Sequence, residues 1–362
     1  MKQVLLVGIG VLWAVAGWGA GLSATLQPGK ADLKSAGPLA FGPDGILFVG
    51  DPMGAQVFAL ATGDTKAGKA PAVNVDGLHE KIAALLGTSA DQILVNDLAV
   101  NPASRRVYLS ISRGRGPDAA AAIVTVGEDG KLAEMNLANI GHAKVALPNA
   151  PGADEKDRRG TPKRLEAITD LQYLDGKLIV AGLSNEEFAS NLRSIPFPFR
   201  DAGAAASVEI YHGSHGRFET NAPVRTFTSY KIKNQPHLLA AYTCTPLVRI
   251  PMTDLKPGNK VKGVTIAELG NRNRPLDMIV YQKNGADFIL MNNSSRGVMK
   301  MPAANLDGYA PITAPTEKQG VPYETMAQWK GVEQLDRYDN SHALMLVRAE
   351  GGALSLTTVA LP

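Results

Sequence analysis

Cysteine is nearly missing: among 362 residues the chain carries one, Cys244, so no disulfide can brace it internally and its stability has to come from burial. A marked excess of charge of one sign is missing as well. Lys and Arg number 37 against 34 Asp and Glu, a net charge of +3, and no basic run of the kind that tracks a phosphate backbone occurs, which disfavours nucleic acid as a partner. No stretch beyond the N-terminus approaches the ~20 apolar residues of a membrane-spanning helix. No Gly-x-Ser-x-Gly elbow, phosphate-binding loop or His-Glu-x-x-His pattern is present, so nucleophilic and zincin-type hydrolysis lack a sequence basis.

What is present starts with the first residues. Lys2 gives a positive start, Val4 to Trp18 is almost wholly apolar, and Ala20 to Ala24 supplies small residues. That is the layout of a secretory signal peptide. Residues 1–24 are therefore expected to be a leader, and 25–362 a single exported domain, periplasmic or secreted. The 37 Gly and 23 Pro make the chain turn-rich.

A repeated unit runs through the rest: a polar or acidic residue, a short strand, a turn and a second strand rich in β-branched residues. The copies are Pro38 to Phe41 with Ile46 to Val49, Asn96 to Val100 with Val107 to Ser110, and Thr169 to Tyr173 with Leu178 to Ala181. They continue with Leu276 to Val280 paired to Phe288 to Met291, and Val332 to Leu335 paired to Ala343 to Leu346. The wide gap before Leu276 contains a weaker copy, Arg225 to Lys231 with His237 to Tyr242. Six units cannot each bury two sheet faces alone, and radial stacking solves this. The expected fold is all-β, a six-bladed β-propeller with short helical insertions. Asp76 to Gly87 has helical apolar spacing and a glycine stop. Ser184 to Arg193 also reads as helical, and it runs into the Ile195 to Phe199 turn, which either caps a channel mouth or packs on a neighbouring blade. Asn149 to Leu165 reads as a solvated loop.

The segment Asn96-Asp97-Leu98-Ala99-Val100-Asn101-Pro102 and the Pro43-Asp44-Gly45 turn resemble the six-bladed propellers of the gluconolactonase and paraoxonase group, and more loosely the NHL-repeat propellers. The resemblance implies a calcium ion at the channel top, held by Asp, Asn and Glu, that activates a lactone or ester carbonyl. Where that group has a ligand Glu on its first blade, Pro38 to Phe41 offers no acid. A second segment, Gly270-Asn271-Arg272-Asn273-Arg274-Pro275-Leu276-Asp277, is similar to the Arg-Asn-Pro stretch of soluble quinone-dependent sugar dehydrogenases, with Arg274 interrupting the order.

Radial equivalence makes Asp97, Asp170, Asp277 and Glu333 converge on one axis. Carboxylates that close must be hydrated, protonated, paired or bound to a cation. With Asn96 they form a candidate site for calcium or another divalent cation, which takes six to eight oxygen ligands. The alternative is architectural: each Asp bonds backbone amides of the next blade and sets blade spacing. Arg272, Arg274 and Arg296 are candidates to receive an anionic ligand or neutralise the acids. His212 and His215 have metal-like spacing, but a transition metal would need a further ligand, His237, His142 or Cys244, which the sequence cannot place. They read as ordinary loop residues, and Cys244 as a small hydrophobe buried in a strand. The functional expectation is a channel binding a small ligand or divalent cation, with metal-aided lactone or ester hydrolysis as its catalytic form. The alternatives are a non-catalytic propeller that meets an exported protein or glycan, and the quinone-dependent dehydrogenase.

Overall fold

A computed structural model describes residues 21–68, 72–116, 118–157 and 160–362. Residues 1–20 of the expected leader lie outside the described residues, and the last part of it, with Thr25, forms a short helical turn at Leu22–Thr25.

Among the described residues the strands form six sheets. Their innermost strands, in chain order, are Leu39–Phe41, Ile93–Val100, Asp170–Leu174, Val224–Ile232, Pro275–Lys283 and Val332–Arg337, and they define blades 1 to 6. Each pairs antiparallel with the strand that follows it, as in Leu39 opposite Val49 and Leu171 opposite Val180. The tight turns required by such hairpins are present. At the Pro43 to Gly45 turn, Gly45 has φ +66°, and a Cβ there would sit 2.7 Å from the Asp64 carbonyl oxygen, so only glycine fits.

Chain order is not ring order. Six apolar clusters occupy six blade interfaces, and they identify the neighbours. Phe48 of blade 1 packs with Leu178 of blade 3, Leu47 of blade 1 with Tyr108 of blade 2, and Leu109 of blade 2 with Leu344 of blade 6. Blade 3 meets blade 4, blade 4 meets blade 5, and blade 5 meets blade 6 through the remaining three. The ring therefore runs 1, 3, 4, 5, 6, 2 and back to 1. After blade 1 the chain crosses to pair Asn74–Val75 with the Leu354–Ala360 strand of blade 6. It then builds blade 2 in the remaining gap and returns, so that Ile140–Ala146 becomes the fourth strand of blade 1. Two strand exchanges thus tie the first, second and last blades together. Each buries strand edges that would otherwise be exposed.

The helix expected over Asp76 to Gly87 is Leu78–Leu86, bounded by Gly77 and Gly87 rather than capped by Asp76. Its Leu78, Ile82 and Leu86 enter the cluster between blades 2 and 6, whereas Leu85 is exposed. The helix expected over Ser184 to Arg193 is corrected. Ser190–Pro196 is the third strand of blade 3, paired along its length with Lys177–Leu183, because that edge needs a partner and local helical spacing cannot supply one. The aromatic turn that follows packs inward. Phe197 and Phe199 lie 5.1 and 5.8 Å from the Phe48 ring of blade 1, so they seal a blade interface and do not cap the channel.

Candidate functional site

An inner strand is an edge strand, and its N–H groups face the channel with no further strand to bond. The acidic positions answer that need. Leu39 N–H of blade 1 donates to Asp97 Oδ2 of blade 2 at 2.7 Å, Phe227 N–H of blade 4 to Asp170 Oδ2 of blade 3 at 2.8 Å, and Leu335 N–H of blade 6 to Asp277 Oδ2 of blade 5 at 2.7 Å. Each aspartate thus grips the equivalent position of the next blade in one rotational sense. Asp97 and Asp170 use their second oxygen on their own strands, through Leu98 and Leu171 N–H.

A second tier lies two residues further along. Asp336 Oδ2 accepts Val100 N–H at 2.8 Å, and Gln172 Oε1 accepts Ser229 N–H at 3.0 Å. Taken around the ring, the first-tier positions are Pro38, Asp170, Thr226, Asp277, Gln334 and Asp97. The acids therefore stand on alternate blades, 3, 5 and 2, with uncharged residues between them.

All six inner strands line a central cavity of about 740 Å³ that includes Asp97, Asp170, Asp277 and Asp336. Its walls strip water from the carboxyl groups, and this loss of solvation is the largest cause of their shifts. It pushes Asp170 up to about 7 and Asp336 to about 6, against the pull of the N–H groups they accept. Burial raises Asp97 and Asp277 well above the carboxylate range, and the repulsion of the other ring acids adds to it. The cavity lining also includes Arg105 and Arg337. Neither arginine was among the sequence candidates, since each belongs to a turn or strand end with no motif of its own.

Two of the predicted ligands stand elsewhere. Glu333 occupies a bulge and pairs with Arg348, with Arg348 Nη2 donating to Glu333 Oε2 at 2.9 Å. The ring acid of blade 6 is Asp336. Asn96 occupies the matching bulge of blade 2 and spends its amide on the Ala36 carbonyl at 2.7 Å and the Ser112 hydroxyl at 2.9 Å. The two residues do not line the central cavity.

The three candidate arginines do not line it either. Arg296 reaches the Asn271 carbonyl at 3.1 Å and lines a second hollow with Glu333 and Arg348. Arg272 is exposed, with φ +54°. Arg274 is exposed and has Arg225 near it; Arg225 in turn pairs with Glu166.

Calcium binds oxygen at 2.3–2.6 Å, so three carboxylates holding one ion directly would have oxygens close together. Among the described residues the one group of three metal-ligating side chains with donor atoms within 4.8 Å of one another is His212, His215 and Cys244. The ring acids do not form such a group among the described residues. The histidine and cysteine readings are corrected as well. His212 is buried, and Cys244 sits in a turn with φ +63° and is not in a strand. His142 and His237 lie in other strands and do not join them.

Fold and cavity together define the class: a six-bladed β-propeller with a carboxylate-lined central channel. No family model matches the sequence, and no curated protein matches it. Solved structures similar to it include the PQQ-bound aldose sugar dehydrogenase of Streptomyces coelicolor, at 12% identity and TM-score 0.36, covering 92% of this chain and 97% of that one. A streptogramin B lyase matches at 10% identity and TM-score 0.35, with 93% and 97% covered. The extracellular region of plexin A4 matches at 8% identity and TM-score 0.42, with 93% and 40% covered. Likenesses this distant carry no information about activity, and the propeller assignment rests on the strand order itself.

Proposed function

We propose that this chain is an exported propeller that binds a small cationic ligand in its central channel, either a hydrated divalent cation or a compact organic ammonium compound. The observation that carries this reading is the alternation of Asp97, Asp170 and Asp277 around a cavity whose lining holds five Asp and two Arg. Half-buried carboxyl groups that repel one another favour any cation that can enter and be shared among them. The cavity is large enough for a ligand beyond a single ion.

The hydrolytic form of this reading needs an ion held by several oxygens with one position open for a carbonyl. The ring acids do not bring three carboxylate oxygens within 4.8 Å of one another among the described residues, which disfavours the hydrolytic form. The quinone-dependent reading has Arg274 and Arg225 together near the start of the inner strands as its favouring feature. Its test is dye reduction by common sugars after PQQ is added, and no reduction would remove it.

The binding reading is tested by thermal melting at pH 7.5 with calcium, magnesium and a series of alkylammonium salts. A ligand at one hundred times its dissociation constant adds ~2.7 kcal/mol. At least one cation should raise the melting temperature of the wild type, and Asp277→Asn should lose most of that rise. No rise with any of them would refute the reading.

A further inference from the structure

Outside the channel, where the outer strand of blade 3 meets the turn between the second and third strands of blade 4, three metal-ligating side chains converge. His212 ends the strand Ala206–His212, His215 lies in the turn after it, and Cys244 lies in the turn between Gln235–Tyr242 and Pro246–Pro251. Their donor atoms lie within 4.8 Å of one another, and the two imidazole rings are 3.8 Å apart between centroids.

One carboxylate orients both rings. Glu219 Oε2 lies 2.7 Å from His212 Nδ1, and Glu219 Oε1 lies 2.8 Å from His215 Nδ1. Both Nδ1 atoms are thereby committed, and Nε2 of each ring is left to act as an acceptor. This is the carboxylate–histidine arrangement that fixes the tautomer of a metal-binding imidazole. Arg217 Nε donates to the same carboxylate at 3.1 Å, so its charge is balanced from the outer side.

The turn is locked in place as well. Gly213 N–H donates to Glu268 Oε1 at 2.5 Å, and a Cβ at Gly213 would meet Glu268 Cγ at 2.8 Å, so a side chain at 213 would push against the buried Glu268. The observation that points to a ligand is His212 Nε2. Its residue is 1% exposed, and this nitrogen has no hydrogen-bond partner. Buried polar atoms are almost always paired, so an oriented and unpaired ring nitrogen beside a second imidazole and a thiol calls for an occupant.

We infer that His212, His215 and Cys244 form a transition-metal site of the zinc class, separate from the channel. Two imidazole nitrogens and one thiolate suit zinc, with a fourth position left for water or an exogenous ligand. His215 and Cys244 are partly exposed and give the ion a way in. On binding, the Cys244 S–H bond breaks, its proton passes to solvent, and the sulfur bonds the metal. Copper is the competing ion for this donor set, and the experiment separates the two.

The test is titration of metal-free protein with cobalt(II) as a spectroscopic stand-in for zinc, followed by competition with zinc(II) and copper(II). One equivalent of cobalt should bind with visible bands of tetrahedral intensity and a near-ultraviolet thiolate charge-transfer band. One equivalent of zinc should abolish both. Cys244→Ser should remove the charge-transfer band, and Glu219→Gln should weaken binding ~10-fold or more. His215→Ala, at a ring with 41% of its side chain exposed, tests the site in a variant whose core is untouched, and it should weaken binding at least as much. Failure of cobalt to bind, or a thiolate band that persists in Cys244→Ser, would overturn the inference. Displacement of cobalt by copper alone would overturn its assignment to zinc.

Discussion

Leu39 and Asp97 stand 58 positions apart in the chain, and the backbone N–H of the first donates to the carboxylate of the second at 2.7 Å. This bond joins blade 1 to blade 2, where the chain has left and re-entered the ring. It makes the acid at this position a structural clasp as well as a wall of the channel. The architectural and ligand-binding readings of the ring acids are therefore two uses of one carboxylate.

Removing the clasp should cost more than removing an acid outside the ring. Asp97→Ala leaves Leu39 and Leu98 N–H without their acceptor, and loss of such partners costs about 1–3 kcal/mol. Glu333→Ala breaks only a partly exposed pair with Arg348, worth about 0–1 kcal/mol. Denaturant titration of both variants gives the comparison, and equal losses would show that Asp97 does not clasp.

The ring acids should make the fold less stable as pH rises. Asp170 keeps its proton up to about 7, whereas the ordinary carboxyl value is 3.8. Its favourable contribution is complete below about 4, declines as the unfolded state ionises first, and is gone above about 7. Asp336, pushed to about 6, adds a decline that ends sooner. Exposed acids with lowered values act in the opposite direction, so the measurement is a difference. Asp170→Asn should show a smaller fall in melting temperature than the wild type between pH 4 and 7.

At the interface of blades 1 and 3, Phe48 is fully buried and stacks on Tyr173 at 5.5 Å, with Phe197 at 5.1 Å edge-on. Phe48→Ala should cost about 3–5 kcal/mol, and chemical denaturation measures it. A loss near zero would mean that the Ile195 to Phe199 turn is not packed there.

Much of the ring was legible because it repeats. A polar position followed by an alternating strand marks every blade but the first, which has Pro38 there, and that spacing located Asp97, Asp170 and Asp277 as well as the weak copy at Arg225. Glu333 misled because blade 6 has Gln334 in the first tier and carries its acid two residues later. The side chain of Asp336 still faces the same side of the strand, but the slot has changed. Ring order was not legible, since it depends on Asn74–Val75 and Ile140–Ala146 joining distant sheets, and neither segment bears the repeat. Cys244 joins His212 and His215 only through the packing of two blades, which no local spacing encodes. The false helix at Ser184 to Arg193 arose from a charged segment whose helical spacing was overruled by an unpaired strand edge.

The most direct measurement is calorimetric titration of the bound cation at pH 6.5, in two buffers of different ionisation enthalpy. Cation binding among partly protonated ring acids should release protons, so the apparent enthalpy should differ between buffers, and Asp277→Asn should shrink the difference. Binding with the same enthalpy in both buffers would contradict the role given to Asp97, Asp170 and Asp277.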